Sequence, residues 1–438
     1  MSDFHDIRVV KGSRTRIVLD QGSLEEISEI FFQGASIRAL CGGSWGFVQT
    51  ESLDGFDELL ATAERIASRV SRNEDLAFEP VPSGKSQRVP VKKDPKDLSL
   101  EEKVELLREI EDAARISGIS STQASYSEVE IRTSYTNSEG LDIEYELTRT
   151  GFAVSAVAKR GDLYQTGGEA RAGVCGLELF DRFDAISLAE KAGRTALLLL
   201  DANFPKGGLF PVILDQELAG VFVHEAVGHA TEADIVLEGG SVLENRLSER
   251  IASELVTVKD DPGLPEYGYY PFDDEGSATG ETVLIEEGVL LSYLHSRETA
   301  ARLGGVPRNA RAEGYESPVV RMSNTYIDRG DWKLEEMLEE LGTGVYLMGS
   351  RGGQVNTALG VFQFNAKRGY LVENGECVTP LRDVSLSGDT MEIMKRIRAV
   401  GDDLKFNSGR CGKSGQIVPV SDGSPHLLIE RATVGGAG

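Results

Sequence analysis

Two histidines flank a glutamate in the middle of the chain, and this motif is the strongest chemical signal in the sequence. Residues 224–229 read His-Glu-Ala-Val-Gly-His, and the chain of 438 residues has only five histidines. Neutral imidazoles are good zinc ligands, and a catalytic zinc commonly has three protein ligands and a water. The metal lowers the pKa of that water to about 7, and a neighbouring carboxylate can take its proton. His224 and His229 are therefore candidate metal ligands, and Glu225 is the candidate general base.

The spacing of the two histidines requires an irregular helix. In the familiar zinc-binding helix the histidines are four residues apart, which places them roughly 40° apart around the axis. A spacing of five residues corresponds to roughly 140°, so one metal could not bind both on a regular helix. Gly228 favours a left-handed helix end, and a π-type turn would produce the same rotation. We expect the helix to distort near Gly228 and to turn His229 toward His224.

The spacing does not identify a third ligand. Residues with suitable side chains after the motif are Glu232, Asp234, Glu244, Asp273, His295, Cys411 and His426. The two histidines could also be ordinary polar residues near a helix end, and spacing alone does not separate these interpretations. The apolar residues Leu218, Val221 and Phe222 and the scarcity of histidine elsewhere favour the metal site.

The first half of the chain has the pattern of an αβ domain. Apolar residues at helical spacing predict helices over residues 57–71, from 99 onward and over 184–200. Ser99 and Glu102 form a capping box. Period-two alternation from 121 to 172 indicates an antiparallel meander, and prolines between 78 and 97 indicate a linker or long loop. Short strands are expected at residues 7–10, 15–19, 36–40 and 46–50, and a turn at 11–13 is expected to join the first two.

The second half has frequent glycines and short apolar segments, which favour a β-rich domain. We place the boundary at residues 203–208, which gives an N-terminal αβ domain at 1–204 and a C-terminal domain at 205–438 that carries the metal helix. Hairpin turns are expected at residues 286–288 and 373–375. The predicted strands are 211–214, 255–258, 282–285, 289–294, 362–364 and 370–372, and the predicted helices are 216–227, 331–341 and 389–399. The expected fold class is α+β.

Composition argues against several classes of partner. Acidic residues outnumber basic residues by 71 to 46, and the net charge of −25 would repel nucleic acid and anionic membranes. No apolar run approaches the roughly 18 residues of a membrane span. The first residues carry acids where a signal peptide needs a basic and then an apolar region, so we expect a cytoplasmic protein. The four cysteines form no Cys-x-x-Cys pair, which argues against a zinc ribbon.

Several separated segments together resemble the TldD/PmbA family, and specifically its metal-bearing TldD branch. They are residues 215–230, 273–276, 292–296, 321–325, 352–355 and 409–416. The order and combination of these segments are much more specific than any one of them. The resemblance is strongest from about residue 205 to the end. It implies a zinc peptidase acting on short or unfolded peptides, with an αβ N-terminal domain and a β-rich C-terminal domain.

The resemblance also implies roles for individual residues. It makes Cys411 the third zinc ligand beside His224 and His229, with one zinc per chain and Glu225 as the base. It implies a dimer, either a homodimer or a heterodimer with a related TldE/PmbA-type subunit, in which the N-terminal domain would form the dimer contact and one wall of the cleft. Two further residues could contact substrate on the basis of their own chemistry rather than the resemblance. His295 could polarise a carbonyl or merely end a strand, and Arg321 could hold a peptide carboxylate or pair with an acid.

Three other motifs do not support a different chemistry. Residues 42–46 match a nucleophile elbow, but a strand rather than a helix is expected to follow them. Residues 412–414 resemble part of a phosphate loop, whose first glycine is replaced by Asn407. Residues 273–276 lack the ligand spacing of an EF-hand, so we expect an acidic turn that lines the cleft or lies in solvent.

Three rival functions remain open at the level of sequence. The chain could be an inactive metal-binding scaffold, a peptide-binding module without metal, or a zinc amidase acting on small molecules. Bound zinc without turnover that depends on Glu225 would indicate the first, and absence of stoichiometric zinc would indicate the second. The choice between peptides and small amides as substrates would distinguish the third.

Overall fold

The computed structural model describes residues 2–70, 72, 74, 76–78, 81 and 87–436. In this part of the chain, four β-sheets form most of the architecture, and nine α-helices pack on or between them. The expected α+β class is confirmed. No helix in these ranges is long and apolar enough to cross a membrane.

Seven strands of the first half form a single sheet. Its strands are β1 (Phe4–Asp20), β2 (Ser23–Cys41), β3 (Ser44–Thr50), β4 (Gln87–Arg88), β5 (Ile119–Asn137), β6 (Asp142–Arg160) and β7 (Leu163–Gly173). They run in the order β3-β2-β1-β5-β6-β4, and β7 also pairs with β6. All pairings are antiparallel except that of β4 with β6. The meander predicted over residues 121–172 is therefore confirmed as β5, β6 and β7.

Strand β1 corrects one prediction. The turn expected at residues 11–13 is wrong, because β1 continues through Gly12, which pairs with Phe32 of β2 and Ile131 of β5. A Cβ atom at Gly12 would overlap the carbonyl oxygen of Glu130 and lie 2.6 Å from the Phe32 ring. The glycine that suggested a turn instead allows neighbouring strands to approach closely.

Four helices accompany this sheet: α1 (Phe56–Arg69), α2 (Leu100–Ala114), α3 (Leu179–Arg182) and α4 (Ala185–Asp201). The predicted capping box is present, because Ser99 N–H donates to Glu102 at 2.7 Å and Glu102 N–H donates to Ser99 Oγ at 3.2 Å. Leu107 and Ile110 of α2 are buried in the core beneath the sheet. Of the expected loop at 78–97, residues 79–80 and 82–86 lie outside the described residues, and Pro95–Asp97 form a short 3₁₀ helix.

The second half contains fifteen described strands and five α-helices. The strands are β8 (Gly208–Leu214), β9 (Val258–Asp260), β10 (Thr282–Glu286), β11 (Val289–Leu290), β12 (Ala310–Arg311), β13 (Val319–Val320), β14 (Asn324–Ile327), β15 (Gly344–Asn356), β16 (Val361–Glu373), β17 (Glu376–Leu381), β18 (Val384–Asp389), β19 (Ile397–Val400), β20 (Lys405–Lys413), β21 (Gln416–Ser424) and β22 (Leu427–Gly436). The helices are α5 (Gln216–Val223), α6 (Ala233–Leu237), α7 (Arg297–Leu303), α8 (Leu334–Leu341) and α9 (Thr390–Lys395). One sheet has the order β11-β10-β9-β14-β21-β20, and a second has the order β15-β8-β22-β18-β16-β17 with β19 on β22.

The strand bounds of this half differ from the predictions at several places, and the separate strands expected at 362–364 and 370–372 form the single strand β16. The strand expected at 255–258 begins only at Val258, and the strand expected at 289–294 ends at Leu290. Leu294 instead exchanges main-chain hydrogen bonds with Thr231 and Ala233, at 2.9 and 3.0 Å. The chain leaves its hairpin early because it is bonded to the segment that follows the histidine motif. The two predicted hairpin turns are confirmed between β10 and β11 and between β16 and β17.

Helix α5 lies between the two large sheets of this half. It contacts β14, β20 and β21 of one sheet and β8 and β15 of the other. Leu218, Phe222 and Val223 are fully buried there, and the Phe222 ring packs edge-on against Phe362 with ring centroids 5.2 Å apart. Burial of these apolar side chains fixes the helix in position. The residues that follow α5 are therefore held from both sides.

Buried ion pairs join the two halves of the chain. Arg8 of β1 pairs with Asp274, and Arg38 of β2 pairs with Glu275 at 2.9 Å. Arg38 also pairs with Asp6 on its own sheet. The acidic turn at 273–276 is therefore buried against the first sheet, which corrects the alternative that it lies in solvent.

Candidate metal centre

The histidine motif begins where α5 ends. Asp215 caps the helix, and its carboxylate accepts hydrogen bonds from Leu218 N–H and Gly349 N–H, each at 2.9 Å. After Val223 the backbone enters a π turn over His224–Gly228, in which the N–H of His229 donates to the carbonyl oxygen of His224. In a π turn, residues five apart are bonded as residues four apart are in an α-helix. The predicted distortion is confirmed, and it places both histidines on one side of the turn.

Gly228 allows this distortion because its backbone packs directly against Met322. Its backbone is right-handed, with φ −53° and ψ −60°, so the left-handed helix end considered from the sequence is wrong and the π turn is correct. A Cβ atom at this position would overlap the sulfur of Met322, which is fully buried. Glycine is needed here because the turn lies directly against that side chain.

The structure brings Cys411 to the two histidines. One ligand atom from each of His224, His229 and Cys411 lies within 4.8 Å of the others. Among the described residues, these three form the group of His, Cys, Asp or Glu side chains that could hold a metal ion. The Cys411 sulfur is 3.3 Å from His229 Nε2, and the two imidazole rings are nearly perpendicular at 88°. Cys411 is on β20, which packs against α5.

The other candidates for the third ligand have different contacts. Glu232 and Asp234 lie just beyond the group, whereas Asp273 accepts hydrogen bonds from the backbone of its own turn. His426 contacts Asp403 at 2.6 Å and Tyr346 at 2.8 Å. Glu244 is exposed.

Charge within the group favours the ligand form of the thiol. Burial alone would raise the pKa of Cys411, but hydrogen bonds and charge from His224 and His229 outweigh it and lower that pKa to about 4. Although burial opposes it, the carboxylate of Glu232 and the thiol raise the pKa of His229 well above its usual value. The neighbouring imidazoles thus favour the thiolate form of Cys411. A thiolate is the form of cysteine that binds zinc.

Charged residues behind His229 support its ring. Glu232 and Asp234 were candidate metal ligands by sequence, and this supporting role was missed by sequence reasoning. Glu232 is fully buried, and its carboxylate is 2.9 Å from His229 Nδ1. Lys413 lies 3.2 Å from Glu232 and 2.7 Å from Asp234. A carboxylate on the outer nitrogen of a ligand histidine fixes the ring and its tautomer. The spacing of three residues from His229 to Glu232 is the one signal in the sequence that could have suggested this pair.

A buried carboxyl on β21 was also missed. Asp422 Oδ2 has no hydrogen-bond partner among the described residues, and neither does the buried Nδ1 of His224. Burial raises the pKa of Asp422 to about 7, although the charge of His224 lowers it. The Asp422 carboxyl packs against Gly220, which is one helical turn before His224. His224 and Asp422 thus each have a buried polar atom without a hydrogen-bond partner among the described residues.

The structure places Arg321 and His295 in the interior. Arg321 is fully buried and donates hydrogen bonds to the carbonyl oxygens of Cys411 and Gln416, which lie on the two strands of one hairpin. In this conformation it supports the Cys411 strand. His295 is buried, its Nδ1 is 3.2 Å from Thr299, and burial lowers its pKa to about 4. Contact of either residue with substrate stays a prediction.

The donor set fits zinc. Two imidazoles and a thiolate are ligands that zinc accepts, and three protein ligands leave the fourth tetrahedral position for water. Glu225 and His229 are the two half-buried residues of the motif, whereas His224 and residues 226–228 are buried. A strand-rich α+β fold with this donor set beside a carboxylate defines a candidate metal-dependent hydrolase.

The chain belongs to the PmbA/TldA metallopeptidase family. Residues 5–67 match its domain 1, residues 93–200 match its central domain, and residues 207–436 match its C-terminal domain. The resemblance seen in the sequence is thereby confirmed.

Relatives of similar length carry related names. A metalloprotease of Archaeoglobus fulgidus is 46% identical over 99% of this chain and 100% of its own length. A metalloprotease of Methanothermobacter thermautotrophicus is 42% identical over 99% of this chain and 96% of its own. A zinc metalloprotease TldD homolog of Saccharolobus solfataricus is 31% identical over 99% of this chain and 97% of its own.

Solved structures share the fold. A proposed modulator of a DNA gyrase from Thermotoga maritima superposes with a TM-score of 0.83 at 24% identity, over 98% of this chain and 96% of that one. TldE from Thermococcus kodakarensis superposes with a TM-score of 0.78 at 19% identity, over 99% of this chain and 97% of that one. At these identities the likeness concerns the fold alone.

Proposed function

We propose that the chain is a zinc-dependent peptidase that hydrolyses short or unfolded peptides and holds one zinc ion per chain. The observation that carries the proposal is the convergence of His224, His229 and Cys411 on a turn that also bears Glu225. Relatives named metalloprotease and zinc metalloprotease support it. When bound, zinc would lower the pKa of a water in its open position to about 7.

Glu225 is the general base in this proposal. It follows His224 directly on the π turn and is half-buried. Its carboxylate is therefore open both to the attacking water and to bulk solvent. It takes the proton of the attacking water and later passes it to the leaving amine. Glu232 holds the His229 ring in one orientation through Nδ1.

The peptide is proposed to lie along β20. This strand pairs with β21 and is the terminal strand of its sheet among the described residues. A peptide that adds to such an edge bonds mainly through its own main chain, which tolerates varied sequences. Because Cys411 belongs to β20, a peptide on this edge passes next to the metal centre.

The two halves of the chain are proposed to have different roles. Residues 205–438 form the catalytic domain, and residues 1–204 form a domain for dimerisation and one wall of the cleft. The dimer is either a homodimer or a heterodimer with a TldE/PmbA-type subunit. Such a partner would share this fold, as TldE of Thermococcus kodakarensis does.

Zinc content and peptide hydrolysis, measured on the same preparations, test the proposal. We expect about one zinc per chain, lost in Cys411→Ala. In Glu225→Gln we expect zinc to be retained and hydrolysis to fall by at least about 10²-fold, because the general base is removed. Circular dichroism would check that both variants are folded.

The alternatives give different results in the same experiment. Zinc without hydrolysis that depends on Glu225 would indicate a metal-binding scaffold. A chain that takes up no zinc would contradict the proposal and favour a peptide-binding module. Hydrolysis of small amides but not of peptides would indicate an amidase.

A further inference from the structure

A cavity of about 560 Å³ lies between the first sheet and the β20–β21 hairpin. One side is a single face of the first sheet, since alternate residues of β1, namely Arg8, Val10 and Arg14, line it. The other side includes Tyr267 and Arg410. We call this space the arginine cavity.

The described residues that line the arginine cavity carry more positive than negative charge. They include five arginines and three carboxylates, in a chain whose net charge is −25. The arginines are Arg8, Arg14, Arg149, Arg311 and Arg410, and the carboxylates are Asp273, Asp274 and Glu313. A local excess of arginine in so acidic a chain marks this cavity as a place for an anion.

Two of these arginines are buried and form no ion pair with a carboxylate among the described residues. Arg149 donates to the carbonyl oxygens of Tyr267 and Tyr269 at 3.2 and 2.7 Å. Arg311 donates to the carbonyl oxygens of Met322 and Pro419 at 2.6 and 2.7 Å. Burial, together with the nearby charge of Arg311, lowers the pKa of Arg149 to about 10. Two buried cations that share a cavity are stabilised by an anion between them.

Two more arginines at the cavity are free of ion pairs. Arg14 and Arg410 are exposed, and neither has an ion pair or side-chain hydrogen bond within the part of the chain that the structure describes. A guanidinium offers a planar fork of donors that matches a carboxylate. Both side chains can therefore turn toward a bound anion without breaking another contact.

The carboxylates of the cavity are already bound by the protein. Asp274 pairs with Arg8 and accepts from Ala312 N–H at 2.8 Å. Asp273 accepts from three backbone N–H groups, and burial, reinforced by Glu275, raises its pKa well above its usual value. Glu313 accepts from the N–H of Ile417 at 2.8 Å. The three carboxylates of the cavity are thus already bound, and they do not neutralise its excess of positive charge.

The arginine cavity and the metal centre lie on opposite faces of β20. Successive residues of a strand point to opposite faces, and Arg410 lines the cavity whereas Cys411 belongs to the metal group. A second cavity of about 320 Å³ runs beside Ser408 and Gly409 and shares Arg410 with the first. An extended peptide along β20 would therefore send alternate side chains toward the two faces.

We propose that the arginine cavity is a carboxylate-binding subsite of the peptide site. It takes one carboxylate of the bound peptide, either an acidic side chain or the free C-terminus, when the peptide lies along β20. The aromatic side chains of the wall, among them Phe32, Tyr145 and Phe272, cover the apolar part of the same residue. The identity of the occupant rests on the proposed peptidase function, whereas the preference for a carboxylate rests on the cavity itself.

Binding to the full-length Glu225→Gln chain, supplied with zinc, tests the subsite without turnover. The probes are fluorescently labelled, extended peptides that carry one Glu or one Gln at successive positions, each with a free or an amidated C-terminus. Fluorescence anisotropy should show at least one carboxylate-bearing peptide that binds about tenfold more tightly than its neutral match, because hydrogen bonds to charged groups are stronger than neutral ones. The Glu/Gln pairs report a side-chain carboxylate, and the acid/amide pairs report the C-terminus.

A matched pair of double variants locates the effect. Arg14→Gln with Arg410→Gln should bring the ratio of the two affinities close to one. Arg65→Gln with Arg398→Gln removes the same charge at exposed positions outside the cavity and should leave the ratio unchanged. Thermal unfolding would check that both proteins are folded.

The outcomes separate this proposal from the peptidase function. Equal affinities for charged and neutral peptides, no binding of any peptide, or an equal loss of preference in both double variants would overturn the subsite. Hydrolysis by the native chain of a neutral peptide is measured in parallel. Hydrolysis without carboxylate preference would keep the peptidase and remove the subsite, and preference without hydrolysis would do the reverse.

Discussion

In the first sheet, β1 pairs along its whole length with β2 and nearly as far with β5, whereas β13, whose Val320 is bonded to Asp234 near the metal group, has only two residues. Long antiparallel strands satisfy their main-chain hydrogen bonds by themselves. In the second half, buried side chains add to this bonding, since Asp260 accepts from Ser323 N–H at 2.9 Å and also from the hydroxyl of Thr325 at 2.7 Å. The stability of the first region therefore depends on close approach of neighbouring strand backbones. The stability of the second region depends on individual buried polar side chains.

The largest effect on stability is expected in the regular region. Gly12→Ala should lower the free energy of unfolding by about 3 kcal/mol or more, because the added methyl overlaps a backbone carbonyl that cannot move within the sheet. Chemical denaturation would measure the change. Gly161→Ala is the control, because a Cβ there meets nothing within 4 Å, although its left-handed φ of 60° costs some stability. A smaller loss for Gly12→Ala than for this control would remove the distinction between the regions.

The next effect is the loss of stability at low pH that a buried histidine causes. The pKa of His295 is lowered to about 4, so below pH 6.5 the unfolded chain binds a proton that the folded chain does not. Stability should therefore fall as pH drops from about 6.5 to 4, by up to about 3 kcal/mol from this residue. Denaturation across this range should show a shallower slope for His295→Gln than for the native chain. His5→Gln, in the regular sheet, is the comparison, and equal slopes in the two variants would contradict the prediction.

Gly228→Ala should cost less stability than Gly12→Ala, about 1 kcal/mol, because its methyl meets the flexible thioether of Met322 rather than a backbone. It should nevertheless weaken zinc binding, since the π turn positions His224 and His229. Combination with Met322→Ala should restore part of the zinc affinity. Chelator competition measures that affinity. If the second substitution restored none of it, the clash with Met322 would not be the cause of the weaker zinc binding.

The last effect concerns zinc affinity rather than stability and is expected at the charged residues behind His229. Glu232→Gln should weaken zinc binding by about 10- to 100-fold, because the carboxylate no longer orients His229. Glu238→Gln is the matched control, since Glu238 is exposed and lies on the same segment. Equal affinities in the two variants, measured by chelator competition, would show that the centre does not depend on its buried carboxylate.

The sequence predicted the parts of the molecule that local pattern controls. The capping box at Ser99, the meander and the two hairpin turns follow from spacing between near neighbours, and all are present. The distortion at Gly228 was predicted because two ligands five residues apart cannot share a metal on a regular helix. The role of Gly12 was not predicted, because the carbonyl that excludes a side chain belongs to a strand more than a hundred residues away.

The metal group was predicted only in part from the residues themselves. His224 and His229 follow from the motif, whereas Cys411 came from the family resemblance, since nothing local relates it to His229, which is 182 positions earlier. The burial of Arg321 beneath Cys411 and the contact of Lys413 with Glu232 are tertiary, and no spacing in the chain encodes them. Long-range packing determines these contacts, which is why sequence reasoning missed them.

Strand β20 carries neighbouring residues toward two different compartments, with Arg410 facing one and Cys411 facing the other. Deletion or insertion of one residue before this pair, with the rest of the strand kept in register, would exchange their faces. Length changes in this segment are therefore tolerable only in steps of two. With Cys411 as the proposed zinc ligand, this position fixes the phase of the strand, so we expect changes in the residues that face the cavity to arise by substitution or by length changes of two residues.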